Sequence, residues 1–321
     1  MALLRLIRWK NLLIIFLTQF LAWRCIITPQ IFGLNSGLSF FFSTVNFLFL
    51  SLSTVLIAAA GYIINDYFDI KIDTINKPEK VVLGKAIERK KAIILHTTLN
   101  IIALTMAGYV AARAHHYEWL LLQLSCTVLL WFYSTHFKRR YMIGNIVVAL
   151  LTALTILVLI IYNPGIYQVT KTQAMAVNGS SFLPVWTLIV YAFFAFMLTG
   201  MREIVKDMED FKGDEAEGCV TMPIKKGLEY SVRFTQILVV LVIIPLMAAC
   251  YILFQHQYRL LAGYILALLV IPIALWSVYL GRQAISQHYH DSSRWLKIIM
   301  ILGVFSLVIY YLQLFLSNAT V

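Results

Sequence analysis

Residues 44–73 read TVNFLFLSLSTVLIAAAGYIINDYFDIKID. The part through Ile64 carries no charge and is as long as a helix must be, about 20 residues, to cross a hydrocarbon layer. It then runs into Asn65, Asp66, Asp69 and Asp73. Helical positions i, i+3 and i+7 share a face, so the three aspartates point one way with Asn65 beside them. Like charges stacked on one face destabilise a helix, and a bound cation offsets that repulsion. The stretch therefore predicts a membrane span with a candidate cation site at its rim.

The rest of the chain repeats the first half of that reading. Of 321 residues, 61% are hydrophobic and 13% charged, with mean hydropathy +0.81, outside the range of soluble domains. Apolar runs near 11–29, 44–64, 92–112, 117–135, 143–162, 183–201, 235–255, 259–281 and 296–316 predict an all-α polytopic membrane protein of about nine transmembrane helices. We expect one integral-membrane domain over 1–321, with membrane lipid as its surroundings. The opening MALLRLIRWKN lacks a small-residue cleavage site, so the first span is expected to be retained. Cys25, Cys126, Cys219 and Cys250 stand singly and predict neither disulfides nor zinc.

The formal charge of +11 is distributed by topology. With a cytoplasmic N-terminus, 22 of the 26 lysines and arginines fall on the cytoplasmic side, which is the positive-inside pattern. That ordering argues against a nucleic-acid partner, which calls for a basic soluble face. We expect an integral protein of the inner, or plasma, membrane with its active site on the cytoplasmic side. The acids follow another logic: 13 of 15 lie in two stretches, Asp66 to Glu88 and Glu203 to Glu229. Acidic residues contribute little to orientation, so something else gathered them.

The second stretch contains REIVKDMEDFKGD, residues 202–214, where Asp207, Asp210 and Asp214 repeat the i, i+3, i+7 spacing and Glu203 adds a carboxylate one turn earlier. Six of the seven aspartates lie in these two sets. Carboxylates suit hard cations, and magnesium bridges one or two of them to substrate phosphates while keeping waters. Two such sets facing one another would hold Mg2+ around a diphosphate and take up charge on a leaving group. A solvated acidic loop is the bland alternative for one set; matched spacing and depth argue against it for two.

NDYFDIKID (65–73) and KDMEDFKGD (206–214) resemble the paired aspartate signatures of the UbiA superfamily of intramembrane prenyltransferases. So do Asn76-Lys77-Pro78, the segment Gly218 to Pro223, and Tyr133-Ser134-Thr135-His136-Phe137-Lys138-Arg139-Arg140 running to Gly144-Asn145. The resemblance implies helices around a central cavity with a lateral opening for an isoprenoid tail. It implies catalytic roles for Asp66, Asp69, Asp207 and Asp210, and metal binding by these four with Asp73 and Asp214. Substrate-binding roles are implied for Asn65, Lys206, Lys138, Arg139 and Arg140, the last three toward diphosphate. Tyr133 and Ser134 would line the cavity or anchor at the interface.

Two positions keep two readings. Arg24, costly inside a span, would bind an anionic acceptor or snorkel to the outer interface. Asn11 resembles a family asparagine near the active site or is a helix-terminus residue. The substrates implied are a polyprenyl diphosphate and a small or lipid acceptor, with no obligate protein partner. The sequence is most similar to the branch that adds a second geranylgeranyl group to geranylgeranylglyceryl phosphate; an aromatic acceptor such as 4-hydroxybenzoate or a naphthoate is the alternative. A cation-coupled transporter is the non-enzymatic reading, but transporters place ionisable groups near the midplane, and these sit at one boundary.

Overall fold

The computed structural model describes residues 1–31, 43–79, 81–163, 184–282 and 286–319, and among them it contains helices and no strand. In chain order these are α1 (Ala2–Leu6), α2 (Trp9–Ile27), α3 (Thr44–Asn76), α4 (Arg89–Arg113), α5 (Trp119–Thr135), α6 (Ile143–Ile161), α7 (Pro184–Glu209), α8 (Phe211–Ala216), α9 (Met222–Lys226), α10 (Leu228–Gln255), α11 (Arg259–Leu280) and α12 (Ser286–Ala319). Eight are long and apolar enough to cross a membrane, and α5 is a shorter apolar helix. These nine match the predicted spans. Lys80 and Lys171, which entered the charge count, lie outside the described residues.

Two helices organise the bundle. α3 packs along α4 and against α2 and α5, while α7 packs along α6 and against α12 and α10. The α3–α4 seam is built from small residues, with Ala60, Ala103 and Ala107 fully buried, and small side chains let helix backbones approach closely in lipid. His96 in α4 donates Nδ1 to the Ala60 carbonyl at 2.9 Å. α2 ties the two halves together through Gln19, which donates to the Thr155 carbonyl of α6 at 2.8 Å and accepts from Ser51 of α3 at 2.8 Å. On α10, Ile237, Ile244 and Tyr251 recur every seven residues with more than half their surface exposed, a ridge whose solvent is lipid.

Prolines explain two local departures from regular helix. π-helical turns at Trp23–Ile27 and Leu266–Val270 immediately precede Pro29 and Pro272. Proline lacks the donor and clashes with the preceding turn, and the extra residue of a π-bulge absorbs the mismatch. A third departure matters for function. α3 runs unbroken through the first aspartate set, but the helix carrying the second set breaks at Asp210 (φ −91°, ψ 8°). The expected single face is therefore corrected: Asp207 is on α7, Asp210 at the junction and Asp214 on α8. The cause is Asn76 at the end of α3, whose amide donates to the Asp210 carbonyl at 3.0 Å and accepts from Gly213 N at 2.9 Å.

Candidate active site

The last turns of α3 present the first set. Asn65 and Asp69 are buried, and Asn65 Nδ2 donates to Asp69 Oδ2 at 2.6 Å. Asp66 accepts from Arg8 Nη2 at 2.7 Å, and the Arg8 guanidinium also lies 5.0 Å over the Tyr62 ring. Arg8 joins α1 to α2 in the left-handed region, φ 51°, a conformation costing about 1–2 kcal/mol for a residue with a Cβ. Its ion pair and ring contact hold it there. Lys138 Nζ ion-pairs with Asp69.

The second set faces the first from α7 and α8. Asn145 of α6 donates Nδ2 to Asp207 Oδ2 at 2.8 Å. Lys77, the residue after α3, ion-pairs with both Asp210 and Glu209 at 2.8 Å, and His290 of α12 meets Glu209 at 2.9 Å. Glu203 accepts from Lys206 at 2.7 Å, with Arg202 at 3.5 Å. Asp214 is buried.

Lys138 stands between the sets because of Gly144. A Cβ at Gly144 would lie 2.9 Å from the Lys138 Cα and 3.1 Å from the Phe137 carbonyl, so only glycine lets α6 start against the 3-10 turn Phe137–Arg139. Val220 N donates to the Arg139 carbonyl at 2.9 Å and fixes the turn from the other side. Burial works against the Lys138 ammonium, yet Asp69, the Tyr133 hydroxyl and Asp214 hold its pKa well above an ordinary lysine's. Burial pushes Asp214 up to about 7; Lys138 opposes the rise, and Asp210 and Asp69 reinforce it. Burial likewise opposes the Lys77 ammonium, and Asp210 and Glu209 outweigh it and raise its pKa.

The donor set is one of hard oxygens. Asn65 Oδ1 is buried without a hydrogen-bond partner, an acceptor left open beside Asp69. Among the described residues no three carboxylates close on a common point. A cation here would take one or two carboxylates and complete its shell from waters and a ligand bringing its own oxygens, a geometry suited to magnesium with phosphates. Beside Asn145, an apolar pocket of about 110 Å³ is walled by Ile146, Ala149, Phe196, Met197 and Leu238 of α6, α7 and α10.

The sequence profile of the UbiA prenyltransferase family matches residues 26–298. The chain belongs to that family. Curated relatives of this UbiA-family chain include a digeranylgeranylglyceryl phosphate synthase from Methanosphaera stadtmanae, 30% identical over 261 residues, covering 80% of this chain and 84% of that protein. Another, from Saccharolobus solfataricus, is 30% identical over 260 residues, covering 81% and 83%. Among solved structures, a digeranylgeranylglyceryl phosphate synthase superposes with a TM-score of 0.59 at 24% identity, covering 97% of this chain and 98% of that one. A UbiA homolog from Archaeoglobus fulgidus bound to GPP and Mg2+ gives 0.57 at 16% identity, covering 96% and 100%. Membership in a prenyltransferase family replaces the transporter reading.

Within this UbiA-family chain, the structure brings Asn65, Asp66, Asp69, Asp73, Lys138, Tyr133, Lys206, Asp207, Asp210 and Asp214 to one region, the charges of which act on one another. Other expected members stand elsewhere. Arg139 and Arg140 are exposed, because the turn that aims Lys138 inward points its neighbours out. The buried Ser134 hydroxyl donates to Leu130 O in its own helix at 2.9 Å. Arg24 is exposed and 5.7 Å from the Tyr311 ring. It sits 16 residues along from Arg8, about 24 Å at 1.5 Å per residue, away from the aspartate sets. Asn11 is near the site but accepts from Lys297. Sequence reading passed over Arg8, Asn76, Lys77, Asn145 and Lys297. Three of these stand in quoted motif text, which was their only signal.

Proposed function

We propose that this chain transfers a geranylgeranyl group from its diphosphate to the free hydroxyl of geranylgeranylglyceryl phosphate, at the cytoplasmic rim of the membrane. The observation that carries the reading is Lys138: its ammonium pairs with Asp69 of one aspartate set while facing Asp214 and Asp207 of the other. An ammonium held at that point between two carboxylate walls is placed to exchange a carboxylate partner for the oxygens of a polyanion, leaving the carboxylates to a divalent cation. The names of the curated relatives support the donor and acceptor.

In this mechanism the tail lies along the apolar pocket beside Asn145, and the diphosphate enters between the sets. Lys138 shifts from Asp69 to the phosphate oxygens, a charge-assisted contact. Asn65 and Asn145 hold Asp69 and Asp207 in position, and Lys77 with Asn76 hold the α7–α8 junction against α3. Asp66, Asp69 and Asp73 on one side and Asp207, Asp210 and Asp214 on the other would hold magnesium, which supplies positive charge to the leaving group. The allylic carbon–oxygen bond breaks with its electron pair going to diphosphate. The acceptor oxygen then bonds that carbon and passes its proton to the departed diphosphate. Tyr133 offers a ring face near the developing cation.

The test is product formation by the purified protein in nanodiscs with geranylgeranyl diphosphate, magnesium and geranylgeranylglyceryl phosphate. An ether product and stoichiometric diphosphate are expected. Prenylation of 4-hydroxybenzoate, with none of the glyceryl phosphate, would overturn the acceptor assignment.

A further inference from the structure

The mechanism above leaves a second group of cations unused. Lys297 of α12 donates to Asn11 Oδ1 and is surrounded by the charges of Arg202, Lys10, Lys206 and Arg8. Arg8 is engaged by Asp66, and Arg202 and Lys206 share the carboxylate of Glu203. Arg202 leaves its Nε buried and unpartnered, and one turn deeper on the same helix Thr199, 5% exposed, has a buried hydroxyl with no partner. Thr199, Glu203 and Lys206 follow i, i+4, i+7, one face of α7. Half-buried like charges repel strongly where water is scarce, and removing charge compensation from such a group is costly.

We propose that Lys297, Arg202 and Lys206, with Asn11 and Thr199, bind the phosphate monoester of the acceptor. This rests on the reading that the acceptor is phosphorylated. The group is separate from the Lys138 side of the site and joined to it by Arg8, which faces Asp66 and the Glu203–Lys206 pair alike. A phosphate held by α7 and α12 there places the hydroxyl of a glyceryl phosphate beside the aspartate sets, where the allylic carbon is released. A dianion also matches the charge excess, which a monoanionic aromatic carboxylate would compensate only in part and a neutral alcohol not at all. Specificity for a phosphorylated acceptor then comes from a lysine near the start of the last long helix, far in sequence from both motifs.

The test uses the full chain in phosphatidylcholine nanodiscs with Lys297→Gln, Arg202→Gln and Lys297→Arg. For each glutamine variant we expect the KM for geranylgeranylglyceryl phosphate to rise by about 10- to 100-fold, the worth of one charged hydrogen bond. Binding of geranylgeranyl diphosphate with magnesium should stay within threefold, and Lys297→Arg should recover most of the loss. Wild type should prefer the phosphorylated acceptor to geranylgeranylglycerol, and Lys297→Gln should lose that preference. Unchanged acceptor KM in both glutamine variants, or equal losses for donor and acceptor in folded protein, overturns the proposal. A phospholipid headgroup is the other source of the same phosphate chemistry. It predicts an unchanged acceptor KM and lost stimulation by anionic lipid, which also overturns it. If wild type prenylates only unphosphorylated acceptors, the function proposed above fails first and this site fails with it.

Discussion

Asn76→Ala tests the idea that the two aspartate sets are held in register by side chains from the end of α3. The amide makes two hydrogen bonds, to the Asp210 carbonyl at 3.0 Å and from Gly213 N at 2.9 Å. At about 1 kcal/mol each their loss costs roughly 2 kcal/mol, which is about 30-fold in the population of the ordered junction. Asp210 and Asp214 flank that junction, so kcat/KM for diphosphate release should fall by about that factor, with a higher magnesium requirement. The helical bundle should remain folded, because the contact lies at its rim. Gly213 supplies the cross-check: a Cβ there would stand 2.4 Å from Asn76 Nδ2, so Gly213→Ala should cost as much alone. In the Asn76→Ala background the clash is gone, and the second substitution should cost little further, a strong non-additivity. The assay is radiolabelled product formation across a magnesium titration, alongside thermal melting. Activity of Asn76→Ala within threefold of wild type, or simple additivity with Gly213→Ala, would refute the reasoning.

Lys138→Gln should lower diphosphate release by about 10- to 100-fold through loss of one charged contact, with Lys138→Arg intermediate in steady-state assays. Gly144→Ala should do comparable damage with the ammonium intact, since the added Cβ meets the Lys138 backbone at 2.9 Å; Gly263→Ala, with nothing within 4 Å, is the control. Chelation with EDTA should abolish turnover and leave the melting temperature nearly unchanged, because Asp66, Asp69 and Asp210 are paired with Arg8, Lys138 and Lys77; collapse of the fold on chelation would count against that. Asp214 titrates at about 7 in the folded protein against about 3.9 unfolded, so the folded state binds the extra proton and stability falls as pH rises between those values. The melting temperature of chelated protein should drop from pH 5 to pH 8, with a shallower slope in Asp214→Asn.

The bundle was legible because lipid imposes a length rule on apolar sequence that soluble folds do not have. Its exceptions are local. α12 starts at Ser286, ten residues before the predicted span at 296, since polar turns carrying His288 and His290 continue the helix past the apolar stretch. The break at Asp210 was not legible because i, i+3, i+7 spacing assumes a continuous helix, and an amide 134 residues away interrupts it.

Charge explains both what the sequence reading found at the site and what it missed. Aspartates stood out because acids have no topological reason to gather at a membrane rim, so their clustering pointed to a ligand. Lysines and arginines on the same side have such a reason: Arg8 and Lys297 were indistinguishable from orientation charge until their partners were seen, and Lys77 was marked only by the motif text around it. Among Lys138, Arg139 and Arg140 the choice was made by Gly144, a residue with no charge, through how closely it lets α6 approach the 137–139 turn. For a membrane enzyme acting on phosphates, carboxylates are therefore readable as site residues from their clustering, whereas charge alone does not single out the cations: motif text narrows them to a few, and the contacts that turn them inward choose among those.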